Sequence, residues 1–208
     1  MIVTKNHIVQ WLLKAADLFE EQQDFLTDLD REIGDADHGL NMNRGFRKVK
    51  DKLPSVADAD IGNILKTTGM TLLSSIGGAS GPLNSSFFIR GATSVMAKEQ
   101  LNLEELTQML QNGLEGIVQR GKAESGDKTM VDTWFGIINS LAKHQQSTMQ
   151  VALDAALVEA NLAMKSTIPM QARKGRASYL GERSIGHQDP GATSAFLLFS
   201  ALRDSILE

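Results

Sequence analysis

The chain has 208 residues, 42% of them hydrophobic and 22% charged, which suits one packed core and excludes a wholly disordered chain. Its 21 basic and 25 acidic side chains leave a net charge of −4, and no basic run is longer than Arg173–Arg176, which argues against direct nucleic-acid or anionic-membrane binding. There is no cysteine, so disulfides, thiolate metal sites and cysteine nucleophiles are excluded, in keeping with a reducing compartment.

The opening Met1–Lys5 does not read as a signal peptide, and no apolar run approaches the roughly 18 residues of a membrane helix. The expectation is a soluble, cytoplasmic protein forming a single domain over residues 1–208. Apolar residues recur at helical spacing along most of it. Ile8, Trp11, Leu12, Ala15, Leu18 and Phe19 begin the pattern, and a weaker segment follows near residues 40–53. Ile61/Ile64/Leu65, Phe88/Ala92/Val95, Leu103/Leu106/Leu110, Trp134/Ile137/Ile138, Val151/Ala155/Val158 and Ala195/Leu198/Phe199 continue it. Asn102 followed by Glu105 resembles a capping box. Asp189-Pro190, and similarly Ser80-Gly81-Pro82, place an N-cap residue ahead of a helix start. No alternating strand pattern is visible. These signals predict an all-α fold of eight helices with short connections and mostly antiparallel neighbours.

Three polar, glycine-bearing connections interrupt the helices. Asp30-Arg31-Glu32-Ile33-Gly34-Asp35-Ala36-Asp37-His38-Gly39 gathers four carboxylates. Such a cluster is either a solvated acidic turn or a site for a hard cation such as Mg²⁺; the calcium EF-hand spacing is not met. Gly77-Gly78-Ala79-Ser80-Gly81-Pro82 is either an ordinary helix–helix turn or a cradle whose N–H groups approach a phosphate. Gln171–Gly191 carries four cationic side chains over about 20 residues without helical periodicity. It is either a flexible surface loop or a functional one whose arginines grip phosphate. His38 and His187 sit in these segments, whereas His7 and His144 fall on helices. Gly116–Ala123 only nearly matches a Walker A loop, because it ends on Ala and closes a helix. Together, carboxylates, glycine-rich helix starts and an arginine loop point to a nucleotide–magnesium site on an all-α scaffold.

The same segments carry a family resemblance. Leu29–Met42, Gly77–Leu83 and Ala172–Tyr179 running on to Gly186–Ala192 are similar, end to end, to the nucleotide-binding L subunits of bacterial phosphoenolpyruvate-dependent dihydroxyacetone kinases. That resemblance implies an eight-helix antiparallel α-barrel with its site in the loops at one end. It implies that Asp30, Asp35 and Asp37 hold two Mg²⁺ ions. It further implies that His38, Gly39, Leu40, Asn41, Ala79, Ser80, Gly121, Met130, Arg176, Asp189, Pro190 and Gly191 line an ADP/ATP site, with Arg176 acting in catalysis on the phosphate charge. In the implied reaction bound ADP is recharged by a phosphotransferase-system partner (M type). The γ-phosphoryl group then passes to dihydroxyacetone held covalently on a separate K subunit. The resemblance also implies a homodimer, and a transcriptional regulator as a further partner. Other readings open at this stage are an ATP-exchanging kinase subunit, including one paired with an acyl carrier, a nucleotide-state-dependent regulator, and a purely structural bundle.

Overall fold

The computed structural model describes residues 1–208 and contains nine α-helices. They are α1 (Lys5–Glu21), α2 (Gln23–Ile33), α3 (His38–Lys52), α4 (Ile61–Ser75), α5 (Ser80–Thr93), α6 (Leu103–Gly121), α7 (Met130–Lys143), α8 (Met149–Ser166) and α9 (Pro190–Leu207). All eight expected helices form, and eight make the ring: α1, α3, α4, α5, α6, α7, α8 and α9 pack each on the next, and α9 returns to α1. Trp11 Nε1 fastens that closing seam by donating to the Leu198 carbonyl at 2.8 Å. The additional helix, α2, resumes after a break at Gln22 and lies outside the ring against α3, α9 and the α8–α9 connection. It buries only Leu26, Asp30 and Ile33, a stripe too narrow to stand out as a separate helical period.

Short connections make consecutive ring helices antiparallel, so every second connection falls at the same end. At one end Val3–Thr4 (β1) pairs antiparallel with Gln100–Leu101 (β2), and Ile61 N donates to the Lys98 carbonyl. A two-residue strand leaves no readable alternation, which is why the sequence shows none. The α2–α3, α4–α5, α6–α7 and α8–α9 connections gather at the other end. No helix is long and apolar enough to cross a membrane.

The ring is filled rather than hollow. Trp11, Phe88, Phe87, Trp134 and Phe199 run across it in successive aromatic contacts, with Phe87 stacked on Trp134 at 4.3 Å. At about 25 cal/mol per Å², a buried ring of about 200 Å² contributes about 5 kcal/mol before its entropy is counted.

Local capping follows the sequence in two places and departs from it in one. The Asn102–Glu105 box closes both ways at 2.9 Å, and Asp189 accepts from Ala192 N at 2.7 Å. Ser80, however, is the first residue inside α5, behind Ala79, and its hydroxyl makes no cap. The α8–α9 connection is not structureless either. Arg176–Ser184 forms 3-10 turns with a reversal at Gly181 (φ 57°), held by Ser184 Oγ, which accepts from Ala172 N at 2.9 Å. Ile33, Ala172 and Ala177 form a small second apolar cluster beneath it.

Candidate functional site

The acidic segment is shaped by one buried carboxylate. Asp30, in the last turns of α2, accepts from Asp37 N at 2.9 Å and His38 N at 3.1 Å through Oδ2, so it tethers the start of α3. Gly34 makes room for it: a Cβ there would lie 2.0 Å from Asp30 Oδ1. Asp30, Asp35 and Asp37 each present a carboxylate oxygen within 4.8 Å of the others. A donor set of carboxylates, with neither nitrogen nor sulfur, fits a hard divalent cation rather than a thiophilic one.

The α4–α5 turn closes over this cluster. Gly78 adopts φ +63°, a left-handed conformation that suits glycine, and α5 then starts without a side-chain cap. The start of α3 is likewise uncapped by its own N-cap residue, Asp37. The other ring helices all have capping side chains at their N-termini, from Thr4, Asp60, Asn102, Thr129, Thr148 and Asp189. Two sets of first-turn N–H donors, with their positive dipole ends, therefore stand beside one cleft.

His38 is buried beneath them, with Nδ1 3.1 Å from Ser80 Oγ and Nε2 2.5 Å from Ser194 Oγ. Burial lowers its pKa below the ordinary value, against the pull of Asp30 and Asp37. Ser194 gives its hydrogen to the Pro190 carbonyl at 3.0 Å, so it accepts from Nε2–H. Nδ1 is then the acceptor and the Ser80 hydroxyl donates to it. Ser80 thus spends its hydroxyl on His38 and offers the cleft its main chain.

The cleft has two halves. One, of about 800 Å³, is lined by the three aspartates, the Gly77–Ser80 turn, Lys128, Arg176 and Asp189–Gly191. The other, of about 770 Å³, is more apolar and is walled by Pro82, Leu83, Ile117, Gly121, Met130 and Val131. Ala79, Met130, Lys174 and Gly175 border both. Asp30, Asp35, Asp37, His38, Ala79, Ser80, Gly121, Met130, Arg176, Asp189, Pro190 and Gly191 are thereby brought together. Gly39, Leu40 and Asn41 are not among the lining residues. Gly39 packs on the Gln23 carbonyl, Leu40 turns outward half-exposed, and Asn41 is buried where its Oδ1 accepts from Arg44 at 2.6 Å. Of that first turn only His38 lines the cleft.

Residues 32–204 match the family described as the DAK2 domain. The chain belongs to the DAK2 family. It is 59% identical over 204 residues to the ADP-binding subunit DhaL of the PEP-dependent dihydroxyacetone kinase of Escherichia coli K12, covering 97% of each chain. It is 38% identical to the ADP-binding subunit DhaL of the PTS-dependent enzyme of Lactococcus lactis, covering 99% of this chain and 100% of that one. In fold it is similar to the dihydroxyacetone kinase of C. freundii in complex with AMP-PNP and Mg²⁺. There the TM-score is 0.70 at 24% identity over 95% of this chain and 33% of that one.

The charges of this DAK2 site are unevenly paired. Arg176, largely exposed, contacts Asp35 at 3.0 Å. His187, the other histidine of the polar connections, lies outside the cleft lining with Nδ1 3.8 Å from Glu32. Asp189 is buried, and burial pushes its carboxyl up to about 7 despite the Ala192 N–H and the charge of Lys128, with Asp132 and Asp30 adding to the rise. Two residues that matter here are silent in the sequence. Lys128 is fully buried, and burial pushes its ammonium pKa down against the pull of Asp189. A lysine between helices reads as a surface residue, and no local signal marks it otherwise. Ser194 reaches His38 across 156 positions of sequence, a separation that no motif spans.

Proposed function

We propose that this DAK2 domain is the ADP-binding subunit of a multi-subunit dihydroxyacetone kinase. A phosphotransferase-system subunit phosphorylates the bound ADP. The γ-phosphoryl group then passes to dihydroxyacetone held covalently on a separate K subunit, giving dihydroxyacetone phosphate. The observation that carries the reading is the juxtaposition of two helix starts without a cap from their own N-cap residues, α3 and α5, with three clustered carboxylates in one cleft. The identity to the ADP-binding subunit DhaL of Escherichia coli supports assigning a nucleotide to that cleft.

In this reading the N–H groups of Gly39 and Leu40 and those of the Gly78–Gly81 turn receive phosphate oxygens. Arg176 leaves Asp35 for phosphate and neutralises charge there. Met130, Leu83 and Gly121 form the slot for the base, and His38 holds Ser80 and α9 in place from below. Asp30, Asp35 and Asp37 would hold two Mg²⁺ ions, which supply charge neutralisation and in-line alignment of the phosphoryl group. The groups that bind the sugar belong to the K subunit.

The test is to purify the protein with Mg²⁺ in every buffer, dialyse it extensively, denature it and identify released nucleotide by chromatography. About one ADP per chain is expected, and none after the Asp35→Asn or Asp37→Asn change, with helical content intact by circular dichroism. Absence of nucleotide from the wild-type chain overturns the bound-cofactor reading in favour of a subunit that exchanges ATP. Retention by the Asn variants removes these carboxylates from the metal site.

A further inference from the structure

We propose that Lys128 is a positioning residue of this cleft, clamping the α8–α9 connection to the α6–α7 connection and setting a buried positive charge in the wall that faces the phosphates. The proposal rests on the reading of the cleft as a Mg²⁺–ADP site. Lys128 is the one lysine that the fold buries, at 1% exposure, and it sits at φ +62°, a left-handed backbone that lysine seldom adopts. Its Nζ donates to the Thr167 carbonyl at 2.5 Å and to the His187 carbonyl. Thr167 directly follows α8, and His187 lies two residues before Asp189. One side chain therefore ties down both ends of the long connection. Arg173 N, donating to the Asp127 carbonyl at 3.1 Å, adds a second tie between the same two connections.

The clamp alone does not explain a charge. Two carbonyls need two donors, which a neutral amide would supply, whereas an ammonium has a third N–H and a full positive charge to accommodate. Neither acceptor is ionised. Lys128 Nζ makes no ion pair, and its only hydrogen-bond partners are those two carbonyls, so its charge is not directly paired inside the fold. A buried, unneutralised cation is costly unless an anion reaches it. Lys128 lines the polar half of the cleft together with Thr129, Ser80 and Gly191, where such an anion would enter. Arg176 approaches the same space from an exposed turn, so the two cations differ in kind: one arrives with its loop, the other is fixed in the floor.

Two variants separate clamp from charge. Lys128→Gln keeps an N–H donor for the carbonyls and removes the charge, and Lys128→Met removes both. Binding of adenosine, AMP and ADP, each with Mg²⁺, is measured by calorimetry for the wild-type chain and both variants, each first freed of nucleotide with a chelator, at several salt concentrations. With Lys128→Gln, ADP is expected to weaken about tenfold or more, AMP less, and adenosine by less than about twofold, with a shallower salt dependence for ADP. Equal weakening of all three ligands, or no weakening of ADP, overturns the proposal. If neither variant folds, the wild-type chain decides: the slowly exchanging ¹⁵Nζ signal of the buried lysine should move on adding Mg²⁺–ADP and stay in place with adenosine. A signal indifferent to ADP overturns it. A wild-type chain that binds none of the three ligands refutes the nucleotide reading itself, and the role of Lys128 with it.

Discussion

Replacing Gly34 by alanine should damage the site through a residue that touches no ligand. The added Cβ would lie 2.0 Å from Asp30 Oδ1, 2.9 Å from Asp30 Cγ and 3.0 Å from the Asp30 carbonyl. To restore ordinary contact the carboxylate must retreat by more than about 1 Å. Its other oxygen cannot follow while holding Asp37 N at 2.9 Å and His38 N at 3.1 Å. Hydrogen bonds to a charged acceptor contribute about 1.5–3 kcal/mol each, so partial loss of two destabilises the chain by about 2–4 kcal/mol. For a domain of this size that is a fall in Tm of about 5–15 °C. Because one of three carboxylates is displaced, Mg²⁺ affinity should fall about 10–100-fold. The assays are calorimetric unfolding and Mg²⁺ titration, with Gly77→Ala as the control in the same site. There a Cβ meets nothing closer than Arg44 Nη2 at 3.3 Å, and the effect should be small. In an Asp30→Ala background Gly34→Ala should cost much less, since the clashing carboxylate is gone and only the 3.0 Å approach to the Asp30 carbonyl remains. Additive losses, or a Gly34→Ala chain that keeps its stability and Mg²⁺ affinity, would refute the steric argument.

Asp189→Asn keeps an N-cap acceptor but removes a carboxyl that burial holds at about 7, above its ordinary value near 4. The folded wild type binds more protons at this group than the unfolded chain between those values, so this group's contribution to stability declines as pH rises through that window. Urea unfolding of the nucleotide-free chains should show the variant gaining on the wild type from about pH 4 to pH 7; a gap that does not open contradicts the assignment. Trp134→Ala empties the centre of the aromatic row between Phe87 and Phe199 and should destabilise by about 3–5 kcal/mol in denaturant titration. Asn102→Ala, at the far end of the ring, should cost about 1 kcal/mol and leave nucleotide retention unchanged.

The ring was readable because its helices bury wide apolar faces: Trp11, Leu12, Ala15 and Phe19 on α1, or Leu106, Leu110, Leu114 and Ile117 on α6, repeat at helical spacing. Convergence of the glycine-bearing connections was readable too, because antiparallel helices with short links return every second link to one end. What escaped were features decided by distant partners. α2 has few buried residues because it lies outside the ring, and its acidic side chains read as a loop. Ser80 has the chemistry of a cap, but His38 claims its hydroxyl and shifts the helix start to it. Arg176–Ser184 lacks helical periodicity, yet Ser184 and the Ile33–Ala172–Ala177 contact fold it into short turns. Burial of Lys128 depends on carbonyls 39 and 59 positions away.

The alternation of connections has a thermodynamic consequence. The cleft draws residues from Asp30 to Gly191, one group from each of four successive hairpins, so no half of the chain contains it. Opening the α9–α1 seam would spread the four groups apart as surely as unfolding the whole ring. A ligand spanning them resists that opening as well as complete unfolding, and its stabilisation grows as RT ln(1 + [L]/Kd). Hydrogen exchange of the Trp11 indole N–H, at the seam and away from the cleft, therefore becomes a remote gauge of occupancy.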